Sequence, residues 1–292
     1  MPYEYPAFDG KHEAPALISA DHEVEAAAVT PAETPDAVVL CYQPTLFEHA
    51  VETHETRELF ADHYLFDCHV LADVSVDGAA APDGDADTDA APEHDADAGD
   101  TPDDDATGSV GVVGNFGIGA PVTAMIVETL GAAGVEAFLS VGYAGCLQTD
   151  VSMADVIIPD RAIRDEGTSH HYLAPGELVK PTPSLAADAR ATTADSTRTV
   201  HEGTTWTVDA AYRETVPEVD HYAERGVLTV EMEAAAVFAV ARHHRYEAAA
   251  LLVVSDYLGT EEWEPRFDQT ADHLRELFEI ARETLVTYLE TP

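Results

Sequence analysis

The sequence predicts an α/β fold in which one sheet is covered by helices on both faces. Short apolar runs alternate along the chain with helical segments, a pattern typical of a sheet that is buried on both sides. The chain has 292 residues, of which 46% are hydrophobic, so a single large core is feasible. We expect one domain over residues 1–292, interrupted by a disordered acidic loop at about 77–108.

The first predicted strands precede the acidic loop. Residues 37–42 form an apolar run after a proline-rich lead, and residues 65–76 are interpreted as one or two further strands. Residues 77–108 then consist almost wholly of Asp, Ala, Gly, Pro and Thr, without an aromatic residue, Lys or Arg. Such a composition buries too little apolar area to offset the entropy lost on ordering. The segment is therefore predicted to be a solvated loop between two strands.

The alternation of strand and helix resumes after the loop. Pro121 suits a first helical turn because its fixed φ matches the helix and its missing N–H would have no partner there. Gly142 and Gly145 are expected to let the backbone turn closely past a ligand. The predicted elements of this half are strands 110–116, 135–141, 155–159, 227–231 and 248–254 and helices 121–131, 233–243 and 268–289.

The charge of the chain limits its partners. The 14 Lys and Arg residues oppose 56 Asp and Glu residues, which gives a formal net charge of -42 at pH 7. Such a surface repels nucleic acid and anionic membranes, so neither is an expected partner. Self-repulsion destabilises the compact state at low salt, and molar salt screens it because the Debye length falls to about 3 Å. We therefore expect a halophilic-type protein of the cytoplasm of a salt-rich cell.

The sequence carries no pattern for membrane insertion or metal binding. No apolar run is long enough to span a membrane, and the acidic N-terminal segment lacks the basic and apolar regions of a signal peptide. Cys41, Cys68 and Cys146 are widely spaced and lack a zinc-binding pattern. We interpret them as buried thiols of a reducing cytosol, with a catalytic cysteine as the alternative, and we expect no metal site.

Polar residues at two strand ends predict a ligand site. Strand 227–231 is followed by Met232 and Glu233 at the start of a helix, and strand 248–254 is followed closely by Asp256. In parallel α/β proteins, polar groups at the carboxyl ends of buried strands lie in the crevice where ligands bind. Because the two ends are one crossover apart, they predict a single site.

The residues of this site suit a sugar. Glu233 at a helix start can accept two hydrogen bonds from a vicinal diol such as that of ribose, and the helix dipole favours its carboxylate form. Met232 offers a soft apolar surface to the sugar face, and Asp256 could lend or share a proton beside it. This combination suits cleavage of a glycosidic bond. The structural alternatives are a solvated acid at Glu233 and a turn cap at Asp256.

Five motifs connect the chain to a known family. They are, in order, Gly117-Ile118-Gly119-Ala120-Pro121, Val141-Gly142-Tyr143-Ala144-Gly145, Arg164-Asp165-Glu166-Gly167-Thr168-Ser169-His170-His171-Tyr172, Glu231-Met232-Glu233 and Ser255-Asp256. With these motifs the sequence from about residue 37 onward resembles the nucleoside phosphorylase superfamily, which includes purine nucleoside and uridine phosphorylases and methylthioadenosine nucleosidases. The third motif is most similar to the uridine phosphorylase branch, and the last to the purine-cleaving branches.

The resemblance implies a fold and an activity. The implied fold has three layers, with a mixed central sheet and helices on both faces. The implied enzyme is a pentosyltransferase that cleaves the N-glycosidic bond of a purine or pyrimidine nucleoside, with phosphate as the nucleophile and co-substrate and with no cofactor. The implied assembly is a homo-oligomer, from a dimer to a hexamer.

The resemblance also implies which residues meet the nucleoside. Met232 and Glu233 would hold the ribose, and Asp256 would act at the base as a proton donor or as a partner of purine N7. The residues expected to contact the base are Trp206, Tyr212 and Arg213. A Trp or Tyr ring can stack on a flat base, and an Arg can donate to a carbonyl. The structural alternatives are a core position for the Trp and an Arg paired with Glu214.

The expected phosphate site departs from the family pattern. Its predicted residues are Gly117, Gly142, Tyr143, Gly145 and Arg57. The family's glycine and arginine motif after the first strand has become Tyr42-Gln43-Pro44-Thr45-Leu46, and Ser140 stands where a further arginine is expected. Charge-assisted contacts are typically worth about 1.5 to 3 kcal/mol each, so two strong contacts are lost. In the family a further phosphate arginine often comes from a neighbouring subunit, and Arg57 could match it. Three hypotheses follow: Arg57 or Arg161 substitutes, water attacks in a hydrolytic nucleosidase, or the protein binds nucleosides without catalysis. The frequency of phosphorolysis in the family favours phosphate as the nucleophile, whereas the local residues favour water.

Overall fold

The computed structural model describes residues 11–61, 63–72, 108–194, 196–258 and 263–291. The acidic loop predicted at about 77–108 lies outside these residues except for Gly108. Over the described ranges, helices and strands alternate as predicted. None of the described helices is both long and apolar enough to cross a membrane.

The described helices and strands have the following bounds. The helices are α1 (Asp21–Ala27), α2 (Pro44–Thr53), α3 (Ala120–Ala133), α4 (Pro183–Thr193), α5 (Val216–Glu224), α6 (Ala234–His244) and α7 (Phe267–Glu290). The strands are β1 (Ala37–Cys41), β2 (Thr56–Leu59), β3 (Asp67–Leu71), β4 (Val110–Gly114), β5 (Ala137–Cys146), β6 (Val156–Asp165), β7 (Leu178–Val179), β8 (Val200–Val208), β9 (Thr229–Glu231), β10 (Glu247–Tyr257) and β11 (Glu264–Pro265).

The described strands form one mixed sheet. β1 lies between β4 and β5 and runs parallel to both, and β5 is also parallel to β10. β2 and β3 extend the sheet with antiparallel pairs beyond β4. The mixed central sheet predicted from the family resemblance is therefore confirmed. That the whole chain folds as one domain stays a prediction.

Five strands of the sheet close into a ring. β5 pairs with β10, β10 with β6, β6 with β8, β8 with β9, and β9 again with β5. Gly145 of β5 is paired with both Asp256 of β10 and Val230 of β9. The ring thus brings the ends of β9 and β10 to either side of β5.

Helices cover the sheet on both faces. Val38 and Leu40 of β1 belong to the core formed with α3 and α6, whereas Val39 and Cys41 belong to the core formed with α2, α4 and α7. This alternation follows from the two-residue period of a strand, and it shows that β1 is buried on both sides. The predicted three-layer arrangement is therefore confirmed.

The two glycines predicted to turn the backbone lie inside a strand instead. β5 continues through Gly142 and Gly145, and neither residue has a positive φ. A Cβ atom on Gly145 would lie 2.2 Å from Leu258 Cδ1 and 3.1 Å from Asp256 Oδ2, and one on Gly142 would lie 3.2 Å from Tyr42 Cδ2. The expectation of a turn was wrong. These glycines make room for side chains that cross the strand.

Candidate active site

A cavity of about 680 Å³ lies at the carboxyl ends of β1, β5, β9 and β10. Its size is within the range of about 300 to 1,000 Å³ usual for small-molecule sites. The sequence placed a site at the ends of β9 and β10, and the cavity lies there. The predicted site residues that line it are Met232, Glu233, Asp256, Tyr212, Gly142, Tyr143 and Gly145.

Glu231 holds the start of α6. Its Oε2 accepts hydrogen bonds from the backbone N–H groups of Glu233 at 2.8 Å and Ala234 at 2.6 Å. Thr207 donates to the other oxygen, Oε1. The first N–H groups of a helix have no partner within the helix, so this carboxylate satisfies them from the preceding strand. Glu231 thereby fixes the backbone on which the next acid is mounted.

Glu233 reaches from α6 towards α3. The backbone N–H of Gly119 donates to its Oε1 at 2.5 Å, and the side chain lines the cavity although the residue is only 8% exposed. Burial, together with the nearby charge of Glu231, raises the pKa of Glu233. A ligand that donates hydrogen bonds to the carboxylate offsets this desolvation. Ionisation of Glu233 and binding of a diol therefore favour each other.

Asp256 is held by two donors at the end of β10. Ser255 Oγ donates to Oδ1 at 2.7 Å, and the indole N–H of Trp263 donates to Oδ2 at 2.8 Å. Trp263 itself lines the cavity and is 62% exposed. Sequence reasoning missed this Trp because only the pairing of β11 with β10 brings it back to the acid. The two donors orient the carboxyl of Asp256 at one end of the cavity.

Glu214 is a second acid at the Asp256 end that sequence reasoning missed. It lines the cavity just before α5, and burial together with the negative charges of Asp256 and Glu218 raises its pKa to about 7. A carboxyl that titrates near neutrality can either donate or accept a hydrogen bond. The sequence analysis considered Glu214 only as a partner for Arg213. Its raised pKa depends on contacts that a local motif does not show.

The predicted base-contacting residues are only partly brought together. Tyr212 lines the cavity and is fully exposed. Trp206 is 0% exposed, donates its indole N–H to Asp165 Oδ2 at 3.0 Å and packs on Tyr222 at 4.6 Å between ring centroids. Arg213 is exposed and is not among the described residues of the lining. The structure places Trp206 in the core, which was its structural alternative, and places Arg213 outside the cavity.

Aromatic and hydroxyl side chains occupy the wall where arginines were expected. The hydroxyls of Tyr42 and Ser140 form a hydrogen bond of 2.9 Å, and Tyr42 is 5% exposed. Tyr143 packs on Phe267 at 5.6 Å between ring centroids. Tyr42 and Ser140 therefore form a neutral, hydrogen-bonded pair. They stand at the positions where the family pattern has a glycine and an arginine, respectively.

The suggested substitute arginines lie elsewhere. Arg57 on β2 donates from Nη2 to the backbone oxygen of Glu33 at 2.8 Å, and Arg161 on β6 pairs with Asp160 at 2.6 Å. Neither is among the described lining residues. Gly117 also lies outside the lining and has a φ of 83°, which suits the turn before α3. Within one chain, Arg57, Arg161 and Gly117 therefore lie outside the described lining. A contribution of Arg57 from a neighbouring subunit stays a prediction.

Arg164, the arginine of the third family motif, is held by hydrogen bonds to the loop that follows β6. Arg164 donates from Nε to Ser169 Oγ at 2.9 Å and from its terminal nitrogens to the backbone oxygens of Ala174 and Leu173. It is buried and does not line the cavity in the described structure. Its guanidinium holds the loop after β6 together.

The described lining is rich in acids and has no basic side chain. The lining contains no Lys, Arg or His within the described ranges, and its acidic residues are Glu214, Asp220, Glu231, Glu233 and Asp256. Such a surface favours a ligand that brings hydrogen-bond donors.

Among the described residues, no group of His, Cys, Asp and Glu is arranged to hold a metal ion. Burial raises the pKa of the Cys146 thiol to about 11, which disfavours its thiolate.

The sequence matches a protein-family model and is similar to two named phosphorylases. The model of the phosphorylase superfamily matches residues 105–289. A guanosine phosphorylase of Halorubrum lacusprofundi is 35% identical over 142 residues, which cover 49% of this chain and 59% of that protein. A DeoD-type purine nucleoside phosphorylase of Bacillus cereus is 31% identical over 173 residues, which cover 58% of this chain and 73% of that protein.

Solved structures share the fold. The crystal structure of uridine phosphorylase from Vibrio fischeri ES114 superposes with a TM-score of 0.64 and 19% identity, over 91% of this chain and 95% of that chain. A complex of the Vibrio fischeri enzyme with 6-hydroxy-1-naphthoic acid superposes with a TM-score of 0.65 and 20% identity. At this level of identity the likeness concerns the fold alone.

Proposed function

Because the chain belongs to the phosphorylase superfamily, we propose that it cleaves the N-glycosidic bond of a purine nucleoside with phosphate as the nucleophile. The observation that carries this proposal is the arrangement of three acids around one cavity. Glu233 lies beside Met232 at the start of α6, and Asp256 and Glu214 line the same cavity near each other. This arrangement offers separate partners to a sugar and to a base.

The proposed reaction follows from these positions. The ribose hydroxyls donate to Glu233, and the sugar face rests on Met232. A phosphate oxygen bonds to C1′ as the bond from C1′ to the base nitrogen breaks, and the electron pair leaves with the base. Asp256 shares or delivers the proton that neutralises the base, and the products are ribose 1-phosphate and the free base. The negative charge of Glu233 stabilises the positive charge that develops on the sugar.

The acids at the base end favour a purine. A purine presents N7 on one side and a pyrimidine-ring edge on the other, so Asp256 and Glu214 can each meet a different edge. A 6-oxopurine such as guanine carries N–H donors on the second edge, which suits an acidic lining. The names of two relatives, guanosine phosphorylase and purine nucleoside phosphorylase, support the same substrate class.

A nucleoside panel tests this function. Guanosine, inosine, adenosine and uridine would be incubated with the protein in molar KCl, with and without phosphate, and base, ribose and ribose 1-phosphate would be quantified. We expect phosphate-dependent release of the base and formation of ribose 1-phosphate, fastest with a 6-oxopurine nucleoside. Release of free ribose at a rate independent of phosphate would indicate a nucleosidase. Binding without release of any base would indicate a nucleoside-binding protein.

We also infer the setting in which the enzyme works. The formal charge of -42 supports a salt-rich cytoplasm.

The exposed apolar residues Tyr212, Val216 and Trp263 around the cavity support a homo-oligomer, because a second subunit would remove them from water. Sedimentation equilibrium in molar KCl tests the assembly, and a mass equal to that of one chain at micromolar concentration would contradict it.

A further inference from the structure

Glu214 faces the cavity from the segment that leads into α5. It lies between the short 3-10 helix at 211–213 and Thr215, the residue that caps α5. The backbone N–H and the hydroxyl of Thr215 both donate to Oε2 of Glu218 at 3.2 Å, so this helix start is satisfied without Glu214. Glu214 is only partly buried and lines the cavity. Its carboxyl is therefore within reach of a bound ligand.

Asp256, the other acid at this end of the cavity, receives a donor on each oxygen. Ser255 Oγ donates to Oδ1 at 2.7 Å, and the indole N–H of Trp263 donates to Oδ2 at 2.8 Å. Hydrogen bonds from donors favour the ionised form of a carboxyl group. Within the described structure no donor reaches the carboxyl of Glu214, on which burial and two negative charges act. Of the two acids, Glu214 is therefore the one that keeps a proton.

Like charges surround Glu214 in the described structure. Asp256 approaches from β10 and Glu218 from α5, and Asp220 of α5 also lines the cavity. Arg213, the preceding residue, is exposed and lies outside the described lining, which has no basic side chain. Burial and the like charges of Asp256 and Glu218 raise the pKa of Glu214 to about 7. Below neutral pH Glu214 is thus a carboxylic acid with a proton to give.

We propose that Glu214 is a catalytic acid that delivers its proton to N7 of the leaving purine, while Asp256 shares that proton as an acceptor. The bond from C1′ to N9 breaks and its electron pair leaves with the base, so the imidazole ring of the base gains a negative charge. Transfer of the carboxyl proton of Glu214 to N7 neutralises this charge and leaves Glu214 as a carboxylate. The phosphate that bonds to C1′ gives up its own proton, which restores Glu214 by way of the solvent.

Asp256 supports this transfer by its charge. A carboxylate whose two oxygens already accept hydrogen bonds has no proton to deliver. Its negative charge stabilises the base while the proton moves to N7, because opposite charges attract more strongly in a cavity of low dielectric. If the proposed phosphorolysis is correct, Asp256 therefore shares the proton and Glu214 delivers it.

Two nucleosides separate acid catalysis by Glu214 from a role in binding. Guanosine releases a base that has to gain a proton, whereas 7-methylguanosine is already positively charged at its methylated ring and releases a base that needs none. Glu214→Gln keeps the size and the neutral state of the protonated carboxyl but has no acidic proton. At pH 6 in molar KCl, we expect this variant to lower kcat/KM for guanosine by about two orders of magnitude and that for 7-methylguanosine by less than about threefold. Glu224→Gln, on an exposed position of α5, is the control and should match the unchanged protein with both nucleosides.

The pH profile identifies the acid in a second way. With guanosine and saturating phosphate, kcat/KM of the unchanged protein should fall as the pH rises through about 7, because Glu214 loses its proton there. The acids at the sugar end, Glu231 and Glu233, act as carboxylates, so their titration changes the rate in the opposite direction. The fall should be absent in Glu214→Gln. In Asp256→Asn it should persist at a lower pH, because removal of the neighbouring negative charge lowers the pKa of Glu214.

Three results would overturn the role of Glu214. They are equal losses with the two nucleosides in Glu214→Gln, a rate in the unchanged protein that does not fall above pH 7, and disappearance of that fall in Asp256→Asn. The profile of the unchanged protein needs no variant, so misfolding of a variant leaves the proposal open to refutation. If the unchanged protein releases no base from guanosine in the presence of phosphate, the proposed function fails instead.

Discussion

Two glutamates only two residues apart have different tasks in the candidate site. Glu231 accepts the first backbone N–H groups of α6, whereas Glu233 accepts one N–H from Gly119 and lines the cavity. Because Glu231 accepts the unpaired N–H groups at the start of α6, Glu233 does not have to accept them. Glu233 thereby remains directed at the cavity, and its burial makes it sensitive to what a ligand donates.

The role of Glu233 is tested by Glu233→Gln. We expect kcat/KM for the nucleoside to fall by about two orders of magnitude, or roughly 2.7 kcal/mol, because an amide stabilises the positively charged sugar of the transition state less well. The fold should persist, since burial disfavours the charge that the variant removes. Glu136→Gln, on an exposed residue before β5, is the control. Kinetics equal to those of the control would remove Glu233 from the site.

The raised pKa of Glu214 predicts a pH-dependent stability. Its pKa is about 7 in the folded protein against 4.5 for an unperturbed Glu, so the folded state favours the protonated form. The stabilisation from this proton is complete below pH 4.5 and is lost as the pH rises through about 7. Glu214→Gln should therefore raise the melting temperature more at pH 8 than at pH 5. An equal effect at both pH values would contradict the shift.

The two tryptophans predict opposite phenotypes. Trp263→Phe removes the donor to Asp256 from an exposed ring, so we expect a lower kcat/KM with little change in melting temperature. Trp206→Phe removes packing volume and the donor to Asp165 from a fully buried ring, so we expect a lower melting temperature. Kinetics and thermal melts of both variants check this contrast. Loss of activity without loss of stability in Trp206→Phe would restore it as a base-contacting residue.

At the scale of the elements, the sequence located those with long apolar runs. β1, β5, β10, α3, α6 and α7 were all predicted, with ends that differ by a few residues. The missed elements were α1, α2, α4, α5, β2, β7, β8 and β11. The apolar residues Leu46, Phe47 and Ala50 mark α2 at helical spacing, but residues 42–46 were interpreted as a degenerate phosphate motif instead. β8 is rich in Thr and lacks a continuous apolar run.

The residues of the candidate site also divide into those that the sequence could predict and those that it could not. Met232, Glu233 and Asp256 were predictable because each directly follows a strand, and the carboxyl ends of these strands meet. Gln43 lies two residues after β1 in the segment compared with the family's phosphate motif, but only the structure shows that it lines the cavity. Glu214 enters the cavity only when α5 packs beside the strand ring. Contacts between distant parts of the chain determine such residues, and a single sequence does not display them.

The hydrogen bonds from the start of α6 to Glu231 of β9 predict how much this carboxylate stabilises the fold. Glu231→Ala would leave the backbone donors of Glu233 and Ala234 without their acceptor in a buried setting. We expect the free energy of unfolding to fall by about 1 to 3 kcal/mol. Urea titrations in molar KCl would measure this change, with Glu224→Ala on exposed α5 as the control. Stability equal to that of the control would show that the helix start needs no carboxylate.

At the scale of the whole molecule, charge opposes compactness. The acidic residues that give the net charge of -42 repel one another. Ion pairs such as Arg190–Glu202, Arg225–Glu177 and Arg275–Asp272 are partly exposed. Exposed pairs contribute about 0 to 1 kcal/mol each, too little to offset repulsion of this size. The cores on both faces of the sheet have to supply the stability that remains.

Salt should therefore stabilise the protein. Between 0.1 and 3 M KCl we expect the melting temperature to rise by several degrees, because the Debye length falls from about 10 Å to below about 3 Å. Thermal melts across this range measure the effect, and glycerol, which does not screen charge, is the control. A melting temperature that does not change with KCl would show that the acidic surface is tolerated without screening.

The strand ring of β5, β10, β6, β8 and β9 has a consequence for how the protein opens. Each of these strands has a neighbour on both sides, so none offers a free edge from which it can peel away. Strands at the ends of the sheet, such as β2, can detach by losing one pairing, but a strand of the ring detaches only when both of its pairings are lost. Backbone amides of the ring should exchange with deuterium as one cooperative unit. Because Asp256 and Gly145 belong to that unit, the cavity keeps its shape until the molecule as a whole begins to unfold.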